Sequence, residues 1–430
     1  MVAPAGPAVA GPGLVARRSR RGVRRRPVTP VAAEEHTTAD APTRRRRRHR
    51  WAVRAGVALV LVLAALPLVL GWVVAGVVLT PEGQADRPLE GSVVAAGDGS
   101  VVLPDEPDAR LTAVGLETDD GYWQLTGAVR EVPCPDNPGT CVERRAHRLA
   151  GAGSPAPGPA RLDAAAWPDD PAVLGGSATT VAGADGDLPA WVFPARGPAG
   201  DTWVVYAHGR SASLAESLRY VDLLTSAGYP VLVTSHRGDG LAHDPADGVG
   251  GFGTREWPDL DAAVAAALDR GAEDVVLWGT SQGAALAARQ LEVGAHADAV
   301  RAVVYDSPLL GLERTLEQQA ANQGIPTAVL RSTSVDAALW WAGLRGDLDA
   351  DAAEHAERAG TWSRPTLVVH GADDDQVPAS ISRRIEELAD PGLVQVEVLP
   401  GVGHVRGWNA DPDGYARTVT TFLAQALGRA

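Results

Sequence analysis

Gly279-Thr280-Ser281-Gln282-Gly283 joins the apolar run Asp274-Val275-Val276-Leu277-Trp278 to the helix-forming stretch Ala284-Ala285-Leu286-Ala287-Ala288-Arg289-Gln290-Leu291. The order is strand, sharp turn, helix, and it stands Ser281 at the end of a strand. Such a turn needs small residues two places before and two after the serine, because its strained backbone leaves no room for neighbouring Cβ atoms. Gly279 and Gly283 occupy those places.

A serine hydroxyl is a weak nucleophile until a base takes its proton, and the base needs a third group to fix its tautomer. Both partners are found downstream at the ends of apolar runs. Thr366-Leu367-Val368-Val369 leads into His370-Gly371-Ala372-Asp373-Asp374-Asp375-Gln376-Val377-Pro378, and Val394 to Leu399 leads into Gly401-Val402-Gly403-His404. Upstream, Thr202 to Ala207 runs into His208-Gly209-Arg210. Asp306 also ends an apolar run, so it competes with Asp374 for the role of acid; its following Ser307-Pro308 reads as a turn, and Asp373 and Asp375 read as solvated loop acids.

From about residue 188 to 428 the motifs H-G-R, G-T-S-Q-G, H-G-x-x-D-x-x-V-P and G-x-G-H resemble those of α/β-hydrolase serine hydrolases, close to bacterial membrane-anchored members. The resemblance implies an α/β-hydrolase fold, a mostly parallel doubly wound sheet with a helical cap. It implies Ser281 as nucleophile, His404 as base, Asp374 as orienting acid, and the NH groups of Gln282 and Arg210 as the oxyanion hole, with no metal or organic cofactor. Many relatives resemble G-x-S-M-G-G where this chain has Gln282; the change alters the pocket floor but not the NH. Ester, thioester or amide cleavage through an acyl-enzyme is the expected chemistry. Transfer of the acyl group to another acceptor, an oligopeptidase-like action on peptides, and an inactive hydrolase fold serving as a binding module remain the alternatives.

Residues 55–79 carry no charge over 25 positions and are dominated by Val, Leu and Ala. At about 1.5 Å per residue this stretch crosses a roughly 30 Å hydrocarbon core, and it exceeds the usual apolar run of a signal peptide. Residues 1–79 hold 14 Arg against 3 acids, whereas the remainder holds 25 Arg against 50 acids. The asymmetry puts the N-terminus in the cytoplasm and the catalytic part outside. An acidic catalytic part argues against a nucleic-acid partner, leaving a small-molecule, acyl or peptide substrate and the lipid bilayer.

The expected organisation is a basic disordered tail over 1–54, a transmembrane helix over 55–79, a small β-rich module over 80–150, a linker and entry segment over 151–187, and the catalytic domain over 188–430 with its cap at about 307–365. Cys134 and Cys141 flank a turn-forming Pro-Asp-Asn-Pro-Gly-Thr and are candidates for a disulfide. His208 reads as structural, and His236, His243, His296 and His355 stand in no metal-ligand spacing. Arg210 is a candidate anion grip or ion-pair partner, and one of Trp340 and Trp341 a candidate pocket residue.

Overall fold

The structure, a computed structural model, describes residues 41–81, 83–84, 87–135, 138–197 and 200–428. Of the basic segment, residues 1–40 lie outside the described residues. The first element is a single helix, α1 (Ala41–Leu79), with Pro67 inside it, and it is long and apolar enough to cross a membrane. It begins fourteen residues before the charge-free stretch, so Arg44 to Arg48 are helical and not part of an irregular tail. Arg is a good helix former, and an established apolar helix propagates through such residues at little cost.

Seven strands follow: β1 (Gly91–Val93), β2 (Ala95–Gly97), β3 (Ser100–Pro104), β4 (Val114–Thr118), β5 (Gly121–Pro133), β6 (Thr140–Gly151) and β7 (Gly158–Asp163). They form one sheet in the order β1-β7-β4-β5-β6-β3-β2 around a small core that includes Val101, Leu116, Trp123 and Leu125. Cys134 and Cys141 are joined across the β5–β6 hairpin, with Cα atoms 5.0 Å apart. The module extends beyond residue 150: β7 pairs with β1 and β4. Its sequence, Gly-Pro-Ala-Arg-Leu-Asp, lacks β-branched residues and so reads as linker, yet pairing on both edges holds it extended.

The second sheet comprises β8 (Ser177–Ala182), β9 (Asp187–Phe193), β10 (Thr202–Ala207), β11 (Val231–Thr234), β12 (Asp274–Thr280), β13 (Val300–Asp306), β14 (Thr366–Gly371) and β15 (Val394–Leu399), ordered β15-β14-β13-β12-β10-β11-β9-β8. It starts at Ser177, within the stretch read as linker. All neighbours from β11 through β15 pair in parallel, and β9 alone runs against the rest. The central strands are buried on both faces, as parallel sheets covered by helices require. On one face lie α3 (Trp257–Asp269) and α4 (Gln282–Val293); on the other lie α2 (Leu218–Ser226) and α9 (Pro412–Ala426), the last preceded by the short α8 (Gly407–Ala410). Between β13 and β14 the chain forms α5 (Leu312–Asn322), α6 (Ala328–Gly346) and short 3-10 turns, without a strand; α7 (Ser380–Leu388) links β14 to β15.

Candidate active site

Ser281 sits between β12 and α4 with φ 50° and ψ −116°, a conformation that L residues avoid. Three features hold it there. Its N–H donates to Asp306 O at 2.9 Å, its carbonyl accepts from Ala284 N at 3.1 Å and from Leu309 N at 3.1 Å, and the two glycines allow the close approach. A Cβ at Gly279 would stand 2.5 Å from Ala284 Cα, and one at Gly283 would run into the carbonyl of Ala207 at the end of β10. The strain therefore rests on packing between adjacent strand ends.

His404, on the loop after β15, has Nε2 3.1 Å from Ser281 Oγ and Nδ1 2.7 Å from Asp374 Oδ2. With Nδ1–H donating to the carboxylate, the lone pair on Nε2 faces the serine hydroxyl. Asp374 is buried, and its Oδ1 accepts the N–H groups of Gln376 (2.9 Å) and Val377 (2.8 Å). Burial pushes its carboxyl up, but hydrogen bonds and charge from His370 and His404 prevail and hold it well below the usual carboxylate range. Ser281, Asp374 and His404 come together from the ends of three strands.

The competing Asp306 is not at His404. Its Oδ2 accepts from Tyr220 (2.9 Å) and Tyr415 (2.6 Å), and burial raises its pKa despite those bonds. Its part is structural, through its backbone carbonyl under Ser281.

Sequence reasoning missed several supports. His370, fully buried on β14, has Nε2 3.0 Å from Val377 O and 3.2 Å from Asp374 Oδ2, and Nδ1 2.6 Å from Ser382 Oγ. A carbonyl only accepts, so Nε2 carries the proton and Nδ1 accepts from Ser382. Gln318, Gln319 and Asn322 of α5 donate side-chain amides to the carbonyls of Asp374, Gln376 and Asp375, fixing the acid loop from above. Glu216 accepts from Gly209 N at 2.8 Å and Tyr206 Oη at 3.1 Å, which ties down the loop after β10. Arg406 reaches from the His404 loop to Asp108 of the small module at 2.9 Å and donates to His404 O at 3.1 Å. Asn409 donates to Ala113 O and Ala164 O, both at 2.9 Å. His370 stands in the same H-G-x-x-D-x-x-V-P stretch as its partners Asp374 and Val377, whereas the other pairs have no spacing signal, because each depends on how the chain folds back and not on a repeat along it.

Arg210 and Gln282 line a small cleft together with Val78, Thr80, Pro81 and His236; Ser281 and His404 are not among its lining residues. Gln282 opens α4, where the first N–H groups have no intrahelical acceptor. The Arg210 guanidinium donates to Val77 O (3.3 Å) and Thr80 O (3.2 Å) at the end of α1 and lies 4.4 Å over the Phe252 ring. A cation at a helix C-terminus is favourably placed against the dipole.

His208, His236 and Asp239 gather in a buried cluster whose ligand atoms lie within 4.8 Å of one another. Spacing along the chain concealed it, since His208 comes from a different strand end. Asp239 already accepts from His208 Nε2 (3.0 Å) and from the N–H groups of His236, Leu241 and Ala242, so the cluster works as a hydrogen-bonded knot. Burial pushes His236 down to about 4, whereas in His208 the bond to Asp239 overcomes burial and raises the pKa. His296 and His355 pair with Asp261 and Glu292, each at 2.9 Å, and take no part in the relay. Trp341 donates to Leu68 O of α1 at 3.2 Å, Trp340 is exposed, and neither lines the cleft.

No family profile matches the sequence. An uncharacterized protein of Bacillus subtilis (strain 168), YqkD, is 25% identical over 224 residues, 51% of this chain and 70% of that protein. An esterase of Pyrococcus furiosus superposes with a TM-score of 0.46 at 21% identity over 60% of this chain and 94% of that one. The esterase RhEst1 of Rhodococcus sp. ECU1013 gives 0.42 at 20% identity over 58% and 99%. A membrane phospholipase A gives 0.41 at 18% identity over 59% and 87%. Likenesses of this extent do not transfer an activity. The observed strand order, the single reversed strand β9 and the strained serine turn between β12 and α4 are those of an α/β-hydrolase fold.

Proposed function

We propose that the chain is a serine hydrolase that cleaves an acyl ester or related acyl bond and is anchored to a membrane by α1. The observation that carries the reading is the relay Ser281 Oγ, His404 and Asp374, with steps of 3.1 and 2.7 Å. Ser281 Oγ attacks the substrate carbonyl while His404 Nε2 takes its proton; the imidazolium then returns that proton to the leaving group. Asp374 holds the imidazole tautomer and steadies its charge. Developing charge on the carbonyl oxygen is met by amides at the start of α4 and on the loop after β10, Gln282 and Arg210; one such donor is worth about 3 kcal/mol or more where measured. Water entering by the same route releases the acyl group.

The anchor reading is supported by the length of α1, and its orientation by the Arg-rich segment ahead of it and by the disulfide Cys134–Cys141 after it. The N-terminus is then cytoplasmic and the two sheets extracytoplasmic.

The activity is tested by exposing the folded full-length protein to a fluorophosphonate probe and mapping the adduct by mass spectrometry. Labelling at Ser281 that disappears in His404→Ala is expected. Folded protein that stays unlabelled and inert towards short-chain and long-chain nitrophenyl esters would sink the proposal. The orientation is tested by protease treatment of cells with opened outer layers, where fragments beyond residue 80 are expected.

A further inference from the structure

We propose that the last turns of α6, from Ala337 to Gly346, lie in the lipid bilayer beside α1, so that one helix spans the membrane and a second is immersed in its outer leaflet. This rests on the reading of α1 as a membrane span.

The two helices pack closely. A Cβ on Gly71 would stand 2.6 Å from Ala337 Cβ and 2.8 Å from Ala338 N, and Ala75 is fully buried. Gly71 and Ala75 are four apart on α1; Ala338, Ala342 and Gly346 are four apart on α6. Small residues at this spacing let backbones approach, which is how helices associate inside lipid. Trp341 Nε1 donates to Leu68 O at 3.2 Å, and Arg345 Nη1 to Trp72 O at 3.1 Å with its guanidinium 5.1 Å from the Trp72 ring.

Length then decides the environment. The charge-free part of α1 begins at Ala55, and only 13 residues precede Leu68, where contact with α6 starts. At about 1.5 Å per residue they reach about 20 Å, short of a hydrocarbon core of roughly 30 Å. The remaining depth must be crossed by the part of α1 that α6 already covers, so the covering turns of α6 share that depth. Their outward side chains suit it: Trp340 is 54% and Leu344 63% exposed, one turn apart, and Trp72, Val73 and Val77 are exposed on α1. Asp336 is exposed one turn before Trp340 and marks where the immersed part ends. Arg345 is the one charge within it; it is exposed, with Nη1 donating to the Trp72 carbonyl and its guanidinium beside the Trp72 ring.

The test uses the full-length protein with its disulfide intact, in vesicles of phosphatidylethanolamine and phosphatidylglycerol. Single cysteines are introduced as Leu344→Cys, Leu59→Cys and Asp222→Cys and labelled with the environment-sensitive fluorophore NBD. Residues 59, 222 and 344 are exposed, so the labels do not disturb a core. Expected is a blue-shifted label at 344 quenched by spin-labelled lipid as strongly as the label at 59, with 222 quenched only by aqueous iodide. If 59 is quenched by lipid and 344 by iodide, the inference fails and the anchor stands. If 344 is shielded from both quenchers, protein covers it, and the inference fails again. A label at 59 quenched by iodide overturns the anchor, and the inference with it.

Discussion

The serine turn and the His404 loop do equal service in the relay but are held by different means. At Ser281 the positive φ is enforced locally, by β12 before it, α4 after it and two glycines within two residues, and by the neighbouring strand ends of β10 and β13. His404 has no such frame. Its loop follows a half-exposed edge strand, β15, and is held by Ser307 Oγ on Val405 N at 2.9 Å, by Arg219 Nη1 on Val405 O at 2.7 Å, and by the small module through Arg406–Asp108 and Asn409. Buried Arg144 in turn holds the carbonyls of Ala109 (2.5 Å) and Thr112 (3.1 Å), next to Asp108. In the proposed mechanism the base is fixed by distant partners, and the small module supplies two of them, Asp108 and Ala113.

Changes at the reacting groups should give the largest effects. Ser281→Ala is expected to lower turnover about a million-fold, measured on any ester that the wild type cleaves; retention above about one part in a hundred of that turnover would remove Ser281 from the mechanism. Asp374→Asn should cost on the order of ten-thousand-fold, because an amide presents the wrong partner to Nδ1. Asp306→Asn, measured alongside, should affect stability more than turnover, and the reverse outcome would exchange their roles.

Gly283→Val separates the two regions on the elbow side. Its Cβ has no space beside Ala207, so the folded yield should collapse, with a destabilisation of about 4 kcal/mol or more; a well-folded variant with normal melting would contradict the packing described. On the other side, Asp108→Ala removes a half-exposed ion pair worth up to about 1 kcal/mol. Turnover should fall several-fold with the elbow still reactive towards a fluorophosphonate that needs little help from the base. An unchanged rate would show that the module does not brace His404.

The smallest effect is on pH dependence of stability. The Asp374 carboxyl has a depressed pKa in the folded state, so its contribution is present above about pH 4, the ordinary value, and is lost as pH falls towards the folded one. Denaturant midpoints of the wild type should therefore drop more between about pH 5 and about pH 3 than those of Asp374→Asn; parallel curves would contradict it.

The sequence by itself determined the strand, turn and helix around Ser281, the order of the three relay residues, and the apolar length of α1. These depend on neighbours in the chain: small residues beside a strained serine, continuous apolar runs for buried parallel strands, and an uncharged stretch long enough to form one helix. It concealed β7, whose residues have weak strand preference and are extended because other strands pair with them, and β8, a short strand at the sheet's edge beside β9. The motif register favours Asp374 over Asp306, and the tertiary structure brings Asp374 to His404 because β14, and not β13, lies beside β15, from which the His404 loop leaves. Only the tertiary structure brought Asp108 to Arg406 and Arg210 to the end of α1, since hydrogen bonds between groups more than a hundred residues apart leave no periodicity or spacing to read.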